Sequence, residues 1–238
     1  VALRTSKPRK SDSAYERLRS AIIRAELEPG CLLEERDIMD LLDIGRTPLR
    51  EALQRLAQED LVLAVPQRGY FVSATSAADF FQLSEFRDHS EVLAIRSAAV
   101  RITDQQLARL KDIIDEAREG VAAKVMDQDW HLGIDERLHK LVAEASGNRY
   151  LAQALNRLYA LSVRSLYVAR VPVTLIFDEL NNFSAIYDAL AAHDPDLAEQ
   201  AMRNHLDLPT VQAVTAPSRK SITGEFDVDT AKKAVDQP

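Results

Sequence analysis

Residues 45–72 read GRTPLREALQRLAQEDLVLAVPQRGYFV, and the apolar spacing changes partway along. Over the first half, Leu49, Ala52, Leu53 and Leu56 recur at the three-to-four spacing of one helix face. Thr47 is placed to be an N-cap and Pro48 the first helical residue, where no amide donor is missed. From Leu61 the period becomes two. Leu61, Leu63 and Val65 share one side, Pro66-Gln67-Arg68-Gly69 supplies a turn, and Tyr70-Phe71-Val72 returns, which predicts a β-hairpin.

Working upstream, Leu18, Ala21, Ile22 and Ala25 predict a first helix over 14–27, stopped by Glu28-Pro29-Gly30. Ile38, Leu41 and Leu42 predict a second over 34–42, ahead of the turn Asp43-Ile44-Gly45. Three helices closed by a hairpin describe a winged helix-turn-helix over 14–73. In that fold the third helix enters the major groove of DNA, and the hairpin tip reaches the backbone or minor groove.

Working downstream, residues 74–78 are small and polar and read as a linker. From 79 to 213 every segment reads as helix, with breaks near Thr103-Asp104, Glu119-Gly120, Ser146-Gly147-Asn148, Val171-Pro172 and His193-Asp194-Pro195. About six helices are expected, forming an all-α bundle whose core can house a ligand or metal site. Residues 1–13 read as a basic arm, and over 214–238 the periodicity is lost, as in a mobile tail. The fold class is therefore mainly α.

The net charge is −7, but it is unevenly spread. Residues 1–73 balance 12 Lys+Arg against 12 Asp+Glu, and the whole deficit lies beyond them. A basic arm on a neutral head with an acidic body suits a protein that touches phosphate with one end. The single cysteine, Cys31, rules out an intrachain disulfide and suits a reducing cytoplasm. Charged residues interrupt every apolar run well short of membrane-spanning length, so no membrane association is expected.

The stretch 32–72, with Glu35-Arg36-Asp37, Gly45-Arg46-Thr47-Pro48-Leu49-Arg50-Glu51-Ala52-Leu53 and Arg68-Gly69, resembles the DNA-binding domain of the GntR family of transcription regulators. The residues after it are similar to the helical FCD-type effector domain of the FadR subgroup, through Arg87 and Glu91, Asp135 with His139, Ser146-Gly147-Asn148, and Asp194, Ala198, Met202 and His205. The resemblance implies a homodimer on near-palindromic operator DNA. Arg46 and Arg50, four apart on one helix face, can fork onto guanine edges and are expected to read bases or phosphates. The resemblance implies further DNA contacts from Arg36 and Thr47, with Arg68 and Gly69 at the wing tip. Gly45 stands where the family usually has serine, which removes one hydroxyl donor to phosphate.

For the bundle, the resemblance implies a divalent metal, zinc, nickel or manganese, held by Asp135, His139 and His205, and a small carboxylate or sugar-acid effector met by Arg87. A position that usually supplies a further histidine is Phe183 here, which takes one donor away. The same trio equally suits a hydrogen-bonded polar network in the bundle core, and Arg87 an ion pair with Glu91. His131, one turn before Asp135, reads as a surface residue, and Asn148 as a helix N-cap. Repression relieved by a metabolite is the expected logic. The competing class is a metal-dependent hydrolase or lyase using the Asp/His/His trio, against which stand the lack of a nucleophile motif and an unexplained winged helix. A DNA-bridging protein without a ligand is a third reading.

Overall fold

The computed structural model describes residues 9–125, 127–172 and 182–206. Most of the basic arm and all of the 214–238 tail lie outside them. The chain divides into two compact units between Ser76 and Ala77.

The first unit runs α1 (Lys10–Ile23), β1 (Leu32–Leu33), α2 (Glu35–Leu42), α3 (Arg46–Gln58), β2 (Val62–Val65) and β3 (Gly69–Val72). The sheet is antiparallel with β3 central; Leu32 opposes Phe71 on one side, and Val62 opposes Val72 on the other. α1 packs on α3, and Leu18, Ile22, Ile38, Leu49, Leu53, Leu56 and Leu61 are sealed between the elements. Each such side chain contributes roughly 1.5–3 kcal/mol by leaving water.

Several local expectations are corrected. α1 begins inside the expected arm, at Lys10, and ends at Ile23 rather than Leu27, because Ala25 turns left-handed and the amides of Glu26 and Leu27 both fold back onto Ala21 O. Gly45, with extended backbone, is the N-cap of α3, so Thr47 is already helical and is not the cap. Pro48 still lies in the first turn, where its missing amide costs no bond. In the hairpin Leu61 bonds back to Leu56 O, and the strand starts at Val62 instead. Leu61 and Val62 are both buried and Leu63 is 57% exposed. The short strand β1 was not anticipated; two residues carry no readable periodicity.

The second unit contains six helices among the described residues: α4 (Ala77–Arg101), α5 (Asp104–Ala122), α6 (Gln128–Ala145), α7 (Arg149–Val168), α8 (Phe183–Ala191) and α9 (Pro195–Leu206). α4 is the central element, packed on α6, α7 and α9. The breaks have visible causes. Thr103 and Gln106 close a reciprocal capping box at α5, Asn148 Oδ1 accepts the amides of Tyr150 and Leu151, and Asp194 Oδ1 accepts those of Asp196 and Leu197. Each satisfies orphan helix donors. Glu119-Gly120 is not a break, since α5 runs through it to Ala122. The helix expected over about 178–192 is described from Phe183 onward. No helix among the described residues is long and apolar enough to cross a membrane.

Candidate functional site

In the first unit, the exposed face of α3 carries Arg46, Thr47 and Arg50, with Arg36 exposed near the start of α2. The two α3 guanidiniums converge on one carboxylate. Glu35 Oε1 accepts from Arg50 Nε at 2.9 Å, Oε2 from Arg50 Nη2 at 3.4 Å, and Oε2 also lies 3.4 Å from Arg46 Nε. The hydrogen bond and then the charge of Glu35 raise the Arg50 pKa. At the wing, Arg68 N bonds Val65 O across the turn, and Arg68 and Gly69 are both exposed. Gly69 has φ +99°, a conformation that residues with a side chain rarely adopt. Its glycine is therefore explained by backbone geometry before any close approach to DNA.

In the second unit, α6 presents Asp135 and His139 from one face, and α9 brings His205 to meet them; all three are buried. His139 Nε2 lies 3.1 Å from His205 Nε2, His205 Nε2 lies 3.1 Å from Asp135 Oδ1, and His139 Nε2 lies 3.6 Å from the same oxygen. Donor atoms about 2.0–2.1 Å from a tetrahedral ion stand about 3.3 Å from one another, so this triangle has the dimensions of three vertices around one cation. Asp135 Oδ1 is buried and receives no properly oriented hydrogen bond. Its other oxygen takes the Tyr159 hydroxyl at 2.9 Å.

Glu91 of α4, fully buried, lies 2.9 Å from His139 Nδ1. A proton there would leave the Nε2 lone pair toward the trio, the arrangement by which carboxylates orient metal-binding histidines, although Nδ1 and Glu91 are close without being aligned as a hydrogen bond. Arg87 joins both features: Nε donates to Glu91 Oε1 at 3.3 Å, and Nη2 sits 3.0 Å from His139 Nε2. Its guanidinium also lies 5.0 Å from the Tyr159 ring centroid.

Burial alone would raise the carboxyl pKa values. For Glu91 the nearby His139 and Arg87 outweigh burial, and for Asp135 His139 and His205 do so, leaving both below the ordinary carboxylate value. Burial, then the charge of Asp135, drives the Tyr159 pKa well above its usual value. Two carboxylates against one guanidinium leave this buried cluster one positive charge short when both imidazoles are neutral. A low-dielectric interior penalises that deficit unless a proton or a bound cation fills it.

The trio borders a cavity of about 70 Å³ lined also by Phe80, Ser84, Arg87, Tyr159 and Ser162. Phe183 is fully buried, its ring centroid 5.4 Å from that of His205 and edge-on to it. An apolar ring thus adjoins the trio and adds no donor.

His131 corrects the surface expectation: it is 2% exposed, edge-on to Trp130, with Nδ1 2.7 Å from Asp127 O. Two partners went unread in the sequence. The sequence offers Glu91 as part of the family resemblance and as an ion-pair mate for Arg87, but not as a partner of His139, although its neighbours Val92, Ala94 and Ile95 are apolar and buried with it. Tyr159 had no local signal at all.

Residues 10–72 match the family model described as bacterial regulatory proteins, gntR family, and residues 82–208 match the FCD domain. Among curated relatives, the HTH-type transcriptional repressor RspR of Escherichia coli K12 is 29% identical over 192 residues, covering 81% of this chain and 83% of its own. The HTH-type transcriptional repressor NanR of Cronobacter sakazakii is 30% identical over 223 residues, with 83% and 82% covered. Among solved structures, a putative GntR transcriptional regulator from Rhodococcus sp. RHA1 superposes with a TM-score of 0.69 at 26% identity, covering 88% of this chain and 99% of that one. E. coli McbR/YncC superposes at 0.73 with 17% identity, covering 84% and 95%, a likeness of fold.

Proposed function

Given that the chain belongs to the GntR family of bacterial transcription regulators, with an FCD domain as its helical half, we propose that it is a cytoplasmic repressor whose grip on operator DNA is relieved by a small carboxylate or sugar acid. The hydrolase or lyase alternative finds no support in these relatives, which are regulators. The observation carrying the proposal is the pairing, in one chain, of an exposed arginine face on α3 with a buried, charge-deficient Asp135/His139/His205 cluster beside a cavity.

On the DNA side, Arg46 and Arg50 read base edges, Arg36 and Thr47 contact the backbone, and Arg68 and Gly69 follow the adjacent groove. The chain acts as a homodimer, so that two copies of α3 address a near-palindromic site.

On the sensing side, Asp135, His139 and His205 would hold one divalent cation, zinc, nickel or manganese, which would supply positive charge to an anionic ligand. Glu91 fixes the tautomer of His139. Tyr159 holds Asp135 by its second oxygen. Arg87 meets the effector carboxylate with a planar fork and contributes the charge that draws an acid into the cavity. The small cavity selects small acids or demands that the helices part on binding. Either way, the ligand changes DNA affinity only by favouring one arrangement of the dimer over another.

The test is the double substitution Arg46→Ala with Arg50→Ala. It should abolish binding to duplexes recovered by in vitro selection with the unmodified chain while leaving the melting curve in place. Undiminished affinity removes the DNA half of the proposal.

A further inference from the structure

A carboxylate in the middle of a DNA-binding face is electrostatically out of place. It repels every phosphate that Arg46 and Arg50 attract, and a side chain that only tied α2 to α3 could do so without charge. Glu35 nevertheless sits between the two arginines, with only 22% of its side chain exposed, while theirs are 67% and 53% exposed.

What it engages is informative. It takes the Nε edge of Arg50 with both oxygens and lies nearest Nε on Arg46. A guanidinium has five N–H donors in a rigid fork. Engaging that edge of Arg50 leaves the Nη1 side of its fork free for guanine O6 and N7. One acid thereby holds Arg50 by hydrogen bonds and lies at ion-pair distance from Arg46, four residues earlier on α3. It also halves the net charge the pair presents, from two to one, which weakens attraction to phosphate irrespective of sequence.

We propose that Glu35 is a specificity-determining positioning residue: it aligns the Arg46 and Arg50 forks for base reading and suppresses their use as general phosphate contacts. It lowers affinity for unrelated DNA and raises discrimination between sites. The proposal rests on Arg46 and Arg50 being base readers, as proposed above.

The experiment compares four full-length proteins: unmodified, Glu35→Gln, Glu35→Asp, and Arg46→Ala with Arg50→Ala. Each is titrated with the duplex selected by the unmodified chain and with a random-sequence duplex of equal length, at two salt concentrations, and each is melted. Glu35→Gln keeps the shape and an acceptor oxygen but not the charge. It should bind random duplex more tightly and lose about tenfold or more in the ratio of selected to random affinity, the scale of one bidentate arginine–guanine pair. Its melting temperature should stay within a few degrees, since an exposed ion pair contributes little to stability. Glu35→Asp, charged but shorter, should retain the low random-duplex affinity while losing part of the discrimination.

An unchanged ratio in Glu35→Gln, with the double arginine variant inactive, overturns the inference and leaves the arginine reading intact. Full binding by the double arginine variant instead removes the reading on which the inference stands. A lost ratio accompanied by a large melting shift overturns the inference as well, making Glu35 a strut between α2 and α3.

Discussion

Glu91 Oε1 lies 2.9 Å from His139 Nδ1, and neither side chain is more than 4% exposed. Because Arg87 Nε reaches the same oxygen at 3.3 Å, one carboxylate serves a histidine of the trio and the cation beside it. Glu91→Gln should therefore act twice. Loss of a carboxylate behind a metal-binding histidine typically weakens metal affinity by about 10–100-fold, and stranding the buried Arg87 charge costs about 3–5 kcal/mol. Chelator-competition titration measures the first and denaturant unfolding the second. A stability loss with unchanged metal affinity would show that Glu91 serves Arg87 alone.

Phe183 and His205 stand edge-on with centroids 5.4 Å apart. Phe183→His should supply a further nitrogen to the trio. Without metal the variant should melt lower than the parent, because burying an unpartnered imidazole costs about 1–3 kcal/mol, or several degrees for a chain of this size. Added zinc should restore that loss and raise the transition further than it does in the parent, as ligand linkage requires. A metal-independent melting temperature in the variant would place the introduced ring outside the shell.

How far the site was legible follows from what each residue had to signal. Asp135 and His139 were readable because four-residue spacing on a helix puts both on one face. Arg46 and Arg50 were readable for the same reason. Thr103, Asn148 and Asp194 marked helix starts because capping oxygens act within three residues, a range a sequence displays. Gly120 was misread for the complementary reason. An ideal Cβ there would meet Trp130 Cη2 at 2.0 Å, so the glycine answers a ring ten residues away on the start of α6, and nothing adjacent marks it. His131 and Tyr159 are tertiary facts of the same kind. The hairpin phase failed because Leu61 belongs to the end of α3 by its hydrogen bond and only Val62 begins the strand.

That reading of Gly120 yields its own prediction. Alanine is the better helix former by roughly 1 kcal/mol, so an exposed helical glycine would gain from Gly120→Ala. Here the indole must move by more than an ångström, and overpacking costs about 1–3 kcal/mol. The variant should melt lower. Trp130 is the chain's single tryptophan, so its emission should shift to the red as the ring is pushed toward water. A higher melting temperature with unshifted emission would contradict the packing account.

Tyr15 donates to Glu59 Oε1, and burial, then that hydrogen bond, pushes its pKa up to about 12. A group whose folded pKa exceeds its unfolded value, here 10.0, stabilises the fold fully below the unfolded value and loses that contribution as pH rises through the folded one. Stability of the first unit should therefore fall between pH 10 and pH 12, and Tyr15→Phe should flatten that fall. Denaturation profiles read at alkaline pH, beside tyrosinate absorbance, provide the check; identical slopes for both proteins would remove Tyr15 from the account.

The sensing proposal makes the most discriminating prediction. Any ligand selective for the folded state raises the thermal transition, by about 2.7 kcal/mol of stabilisation at a hundredfold excess over Kd. A panel of small carboxylic and sugar acids, screened with and without chelator, should contain at least one stabilising acid, because Arg87, together with a cation filling the trio, offers positive charge to an anion. If chelator cancels the shift, the acid is recognised through a metal on Asp135, His139 and His205 despite the apolar Phe183 ring. A shift that survives chelator but disappears in Arg87→Ala places recognition on the guanidinium alone, with the trio acting as a polar network that positions it. Silence across the whole panel would overturn the acid-effector proposal, and with it the role given to Arg87.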